Sequence, residues 1–240
     1  FGTKVNGDAF ENLAQTVPVK LLAKHKSSIH QLEALLLGQA NLLQKEPADD
    51  YSKLLVREYL ILKAKYNLQP TVIPVHFLRM RPPNFPTIRL AQLAALVQQS
   101  EHLFSKVLEA ENVSVVKKWL GVTANDYWHY HYRFGELSAY RPKTLGGDMI
   151  DSIIINTIVP TLFAYGVYHG KEELKEKAIV WLQATSAENN HITKGFKDVS
   201  IANANAFDSQ ALIELKNEYC NYRRCLDCAV GNALLKKCNA

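Results

Sequence analysis

The sequence predicts an all-α fold, an irregular multi-helix bundle with little or no β structure, and three observations predict it. Apolar residues recur at spacings of three and four through most of the 240 residues, the period of one helix face. Asn, Asp, Ser and Pro stand where those apolar patterns begin, as helix starts require. The one clear interruption is proline-dense: PTVIPVHFLRMRPPNFPTIR carries five prolines in twenty residues, which suits a crossover connection rather than a sheet.

NGDAFENLAQTV offers an Asn or Asp cap, with Phe10, Leu13, Ala14 and Val17 on one face. Pro18 suits the first turn of a short helix, VPVKLLAKH. Ser27 or Ser28 caps IHQLEALLLGQANLL, whose stripe is Ile29, Leu32, Leu35 and Leu36. Asp49 and Asp50 place negative charge at the start of YSKLLVREYLILKAKY. After the proline segment, Pro86 opens a helix through TIRLAQLAALVQQSEHLF. Gly121 to Gly147 is a second, aromatic and polar connection. Helices resume over 148–169, with a kink or break at Pro160, then over 171–183, 187–196, 206–219 and 225–237. We read one domain over 1–240, with a candidate sub-division near 70–86.

The composition is that of a soluble globular protein, with 48% hydrophobic and 21% charged residues. A net charge of +5 permits contact with anionic partners without implying it. Ser152 to His169 has no Asp, Glu, Lys or Arg and about the length of a membrane span. Its Asn156, Thr157, Pro160 and Thr161 favour a buried central helix instead, so no membrane partner is expected. No signal-peptide pattern follows Phe1. A chain that opens in mid-pattern reads as the C-terminal part of a longer protein, whose N-terminal part is its first expected partner.

All four cysteines fall between Cys220 and Cys238. They cannot staple the whole fold, which points to a reducing, cytoplasmic compartment. On an unbroken helix Cys225 and Cys228 lie about 60° apart and Cys220 about 80° further round, too spread for one ion. If the chain turns at Asn221 to Arg224, the three thiols can converge as zinc or an iron–sulfur cluster requires. Cys238 is about 15 Å along the last helix from Cys228 and makes a poor fourth ligand. The leading reading is core thiols; Cys220, Cys225 and Cys228 as a metal site come second, and a redox pair third.

SQALIELKNEYCNYRRCLDCAVG, RPPNFPTIRLAQLA and NTIVPTLFAYG resemble segments of a family of uncharacterised bacterial proteins classed as a domain of unknown function. Arg-Pro-x-Asn-Phe-Pro and Tyr-Cys-x4-Cys-Leu-x-Cys mark that resemblance, which spans FGTKVN to the cysteine segment. It implies longer relatives and carries no assigned activity.

Two further stretches hold candidate ligand-binding residues. Arg79, Arg81, Asn84 and Arg89 surround the double proline, where guanidinium groups on a stiff loop suit phosphate or carboxylate. The bland alternative is arginines bonded to carbonyls freed by the proline chain. YWHYHYRFGE, if extended, sets Trp128, Tyr130, Tyr132 and Phe134 against His129, His131 and Arg133. Such a stretch can ligate zinc or stack on single-stranded bases, or simply wedge aromatics into the helices. AENNHITKGF adds Glu188 and His191, which do acid–base work only in a cleft.

The leading expectation is a binding or scaffolding module, its partner docking near the arginine-rich loop and the aromatic stretch. The alternative is a nucleic-acid-associated protein with a cysteine-held zinc or iron–sulfur site. A weaker third is a hydrolase using His129, His131 or His191. Phosphate-loop, G-x-S-x-G and H-E-x-x-H patterns are absent.

Overall fold

The structure is a computed structural model that describes residues 3–44, 46–77 and 80–238. It is all-α, as the periodicity predicts: 64% of the chain is helical, and the described residues hold only a small two-stranded sheet. Two compact units emerge, residues 1–106 with 116–150, and residues 107–115 with 151–240. The proline-rich segment 70–86 lies inside the first.

In the first unit, α1 (Thr3–Thr16) and α2 (Val19–Lys24) lead into α3 (Ile29–Gln39). α4 (Asp50–Tyr66) and α5 (Pro86–Gln99) both pack on α3, and every residue from Leu32 to Gln39 is buried. A helix covered on all sides has to be apolar all round, and LEALLLG is, except for Glu33. Gly38 permits the close fit of α4: a methyl group there would come within 2.3 Å of the Tyr59 ring.

The helix ends follow local chemistry. Ser28 accepts from the Gln31 N–H at the start of α3. Asp49 and Ser52 form a reciprocal capping box at the start of α4, and Pro86 occupies the first turn of α5. Asn6, read from sequence as a cap, instead sits inside α1 with a non-helical φ of −118°. It is buried and needs partners, which it finds on the proline-rich segment. Asn6 Nδ2 donates to the His76 carbonyl at 2.9 Å, and the His76 N–H donates back to Oδ1 at 2.9 Å.

The helix expected to run to Phe104 ends at Gln99. His102 takes a left-handed φ of 48°, and α6 (Leu103–Glu109) and α7 (Val113–Leu120) follow. No Gly or Pro announces that break. The aromatic stretch then opens as one helical turn, α8 (Asp126–His129), before β1 (His131–Arg133) and β2 (Glu136–Leu137) pair antiparallel with an irregular register. Thr87 Oγ1 donates to the Tyr132 carbonyl at 2.6 Å and ties this hairpin to α5.

α9 (Gly147–Ile153) runs on through a π-helical stretch, Ile154–Ile158, into α10 (Val159–Tyr168). The helix therefore continues past Pro160; the wider π turn just before it accommodates the proline ring. Gly147–Tyr168 is the one helical run among the described residues long and apolar enough to cross a membrane. Only 39% of its most apolar window is buried, less than the buried central helix that the sequence suggests.

The second unit is built on α10 and α11 (Glu172–Gln183), which pack closely where Gly166 meets the Lys171 carbonyl. α12 (His191–Asp198) and α13 (Ala206–Glu214) complete its core, with Trp181 and Leu212 buried. α13 ends in a π-helical stretch, Leu215–Cys220, and α14 (Ala229–Cys238) closes the chain.

A cationic cleft as the candidate functional site

The double proline folds as a 3₁₀ turn, Pro82–Asn84, and Pro86 restarts the helix. That geometry carries Asn84 back onto the first turn of α5, where Arg89 reaches it. Arg89 Nη2 donates to Asn84 Oδ1 at 2.5 Å, and Nη1 donates to Gln92 Oε1 at 3.0 Å. Gln92 Nε2 in turn donates to the Lys143 carbonyl at 3.2 Å. Lys143 Nζ donates to the carbonyls of Arg141 (3.0 Å) and His129 (3.3 Å), and stands 3.9 Å from the Tyr132 ring centroid.

These residues wall an open cleft of about 330 Å³. Asn84, Arg89 and Gln92 form one side, and Tyr132, Arg141 and Lys143 another. Gly146 and Gly147 close the circuit and have nothing within 4 Å of where a side chain would begin, so the cleft stays open there.

The electrostatics are unusual. Arg89 is 7% exposed and Lys143 only 4%, and the hydrogen-bond partners of both are neutral amide or carbonyl oxygens. Burial holds each of them below its ordinary pKa, with the nearby Arg141 charge adding to the effect on Lys143. A guanidinium keeps its proton regardless. Arg89 Nε is buried with no hydrogen-bond partner. Unmatched buried cations are costly, and an anion in the cleft would offset that cost. Asp148 is the one carboxylate on the wall, and it is exposed.

Of the residues singled out in the sequence, Asn84 and Arg89 meet in this cleft. Arg79 lies outside the described residues. Arg81 is exposed at the start of the 3₁₀ turn. Arg133 stacks over Phe77 and Phe85, at 4.8 and 5.0 Å from their ring centroids, and sits 3.8 Å from Glu136. The strand-like alternation expected of the aromatic stretch fails at its start, because residues 126–129 are helical. Trp128 is fully buried, while Tyr130 is half exposed.

The imidazoles are used locally. His129 Nε2 meets the Ala124 carbonyl at 3.1 Å, and His131 Nδ1 meets the Tyr127 carbonyl at 2.8 Å. A carbonyl only accepts, so both ring nitrogens donate. His131 also stacks on Tyr127, with centroids 4.0 Å apart. In the second unit His191 is exposed at the first position of α12, behind its Asn190 cap.

The chain does turn at Asn221 to Arg224, with Arg223 at a left-handed φ of 54°. Cys220 ends one helix, and Cys225 and Cys228 precede the next. All three line one apolar groove of about 310 Å³. Among the described residues, however, no three His, Cys, Asp or Glu side chains gather as a metal ion requires. Cys228 is buried, whereas Cys220 and Cys225 are exposed, so of these three a core role fits Cys228; the Cys238 side chain lies outside the described residues.

A second polar cluster escaped the sequence reading. Glu33 is fully buried on α3. Its Oε2 accepts from the Tyr51 hydroxyl at 2.7 Å and from Trp128 Nε1 at 2.9 Å, while Oε1 has no partner. Burial pushes this carboxyl up to about 7, against the two hydrogen bonds that hold it down. Asn125 Nδ2 donates to the Tyr51 hydroxyl, and Tyr127 stacks on Tyr51 at 4.2 Å. The Tyr127 hydroxyl and the Gly135 N–H both donate to Asp49 Oδ2, at 2.5 and 2.8 Å. Burial works to raise the Asp49 carboxyl, but these bonds and those from Ser52 outweigh it and leave it below its usual range. One charged residue inside an apolar run was the available signal for Glu33. Lys143 gave no such signal.

Fold and cleft together define a helical domain that presents a cationic polar pocket beside an aromatic hairpin. The chain belongs to the family described as "Protein of unknown function (DUF2851)", whose family model matches residues 1–191. The cleft lies within that span, and the cysteine segment lies beyond it. No curated protein and no solved structure matches the chain.

Proposed function

We propose that this chain is a ligand-binding domain whose cleft takes a small anionic group, a phosphate or a carboxylate. The observation that carries this reading is the pair of buried cations, Arg89 and Lys143, with neutral partners only, on the wall of one open cleft. Arg141 stands exposed on the same wall, free to meet a ligand first. Guanidinium groups suit the planar, multidentate acceptors of phosphate and carboxylate. The structural alternative is that Arg89 serves only to clamp the proline turn through Asn84.

Isothermal titration with inorganic phosphate decides between them. Saturable binding that weakens at least tenfold in Arg141→Ala, and further in Arg89→Gln, supports the ligand site. Absence of binding to the wild-type chain in low salt would leave Arg89 a structural clamp. Arg141 is exposed, so its substitution tests the site without threatening the fold.

A further inference from the structure

An exposed aromatic pair flanks, along the chain, the hairpin that leads into the cationic cleft, and neither the core nor anion binding uses it. Most rings of the 127–134 stretch are at least partly buried, but Tyr130, and Tyr140 beyond the hairpin, are exposed. They are 48% and 59% exposed, with ring centroids 5.2 Å apart, and the His129 ring stands edge-on to Tyr140 at 5.7 Å. Backbone bonds fix this pair in place. The Ser138 N–H donates to the Tyr130 carbonyl at 2.7 Å, and the Arg141 N–H donates to the His129 carbonyl at 2.9 Å. The ring of His129 is itself tied to the Ala124 carbonyl. Tyr140 immediately precedes Arg141, and Arg141, Pro142 and Lys143 all line the cleft. Tyr130 therefore lies two residues along the chain from Tyr132 and Tyr140 one residue from Arg141, both of the cleft wall, and among the described residues no ion pair joins Arg89, Arg141 or Lys143 to a carboxylate.

We infer that cleft and aromatic pair together hold a nucleotide unit: its phosphate against Arg141 and Arg89, and its base stacked on the exposed Tyr140 ring, which Tyr130 buttresses at an interplanar angle of 54°. This rests on the anion-binding reading above and names the ligand class for that same site. Stacking on tyrosine beside a basic groove is how proteins hold bases without reading sequence. Asp148 also finds a use here. A carboxylate on the wall repels a bare anion, yet it accepts a hydrogen bond from a ribose hydroxyl. The same chemistry is presented by a free nucleotide and by one residue of a single strand.

The test is titration calorimetry of the full chain with ribose 5-phosphate, adenosine, AMP and a short single-stranded oligonucleotide. AMP is expected to bind about tenfold tighter than ribose 5-phosphate, the usual scale of one stacked base. Tyr140→Ala is expected to erase that difference while leaving ribose 5-phosphate unchanged. Equal affinity for AMP and ribose 5-phosphate, or equal weakening of both by Tyr140→Ala, overturns the base-stacking inference and leaves the anion site standing. Adenosine binding as well as AMP would instead overturn the anion site. If the oligonucleotide binds more tightly than AMP, with affinity falling as salt rises, the source is a strand; the reverse order makes it a free nucleotide, and either order supports the shared chemistry.

Discussion

Two buried charged clusters among the described residues of the first unit are treated differently. Around Glu33 the carboxylate is enclosed: Tyr51 from α4 and Trp128 from α8 both donate to one oxygen, and the Tyr127 ring stacks on Tyr51 and stands edge-on to Trp128. Around Arg89 and Lys143 the cations have only neutral partners and face an opening of about 330 Å³. An enclosed charge ties elements together and responds to protons. A charge left half-satisfied at a mouth responds to whatever enters. The first cluster joins helices to one another; the second is the one proposed to take a ligand.

Breaking the closed cluster should have the largest effect. Trp128→Ala removes a fully buried indole and strips Glu33 of a donor, so a loss of about 3–5 kcal/mol is expected in denaturant unfolding. A loss below about 1 kcal/mol would mean that the cluster does not hold these elements together.

Next comes the proton response of Glu33. Its folded pKa is raised from 4.5 to about 7, so the folded state binds this proton more tightly than the unfolded chain does. The contribution is complete below the unfolded value, is lost as pH climbs through the folded value, and is flat above that. Raised by between two and three units, it amounts to about 3 kcal/mol of stability lost between roughly pH 4.5 and 7. Urea midpoints across that range should fall in the wild type and stay level in Glu33→Gln; parallel curves for the two proteins would contradict the assignment.

Asp49 should matter less, and with the opposite sign. Its folded pKa lies below 3.8, so its contribution is present above that value and lost as pH falls through the folded one. Removal of its cap and of the bonds from Tyr127 and Gly135 by Asp49→Ala should cost about 1–2 kcal/mol at neutral pH. Arg141→Ala should barely change stability, by less than about 0.5 kcal/mol, while weakening phosphate binding at least tenfold. A large loss of stability there would make the cleft wall structural.

How far the sequence reached follows the same division. Local chemistry was legible: Ser28, Asp49 and Pro86 stand at helix starts because each satisfies or avoids backbone donors within a few residues. Asn84 and Arg89 were also visible, since five residues separate them. What depended on distant partners was not. Asn6 looks like a cap until His76 is placed beside it, 70 residues away. Lys143 is an ordinary basic residue until α5 and the hairpin bury it. The break between Gln99 and Leu103 has no Gly or Pro to mark it, only a left-handed His102. The cysteine segment shows the same limit: a turn at 221–224 puts Cys220, Cys225 and Cys228 along one groove, which no helical wheel could show, yet among the described residues they do not gather as a metal ion requires.

The most direct test of this account is unfolding free energy measured against phosphate concentration at constant ionic strength. An open cleft with unmatched cations predicts stability that rises with the logarithm of phosphate above its dissociation constant, in wild type and Glu33→Gln alike, and a rise displaced to at least tenfold higher phosphate in Arg141→Ala. A flat wild-type response, or the same rise in all three proteins, would contradict it.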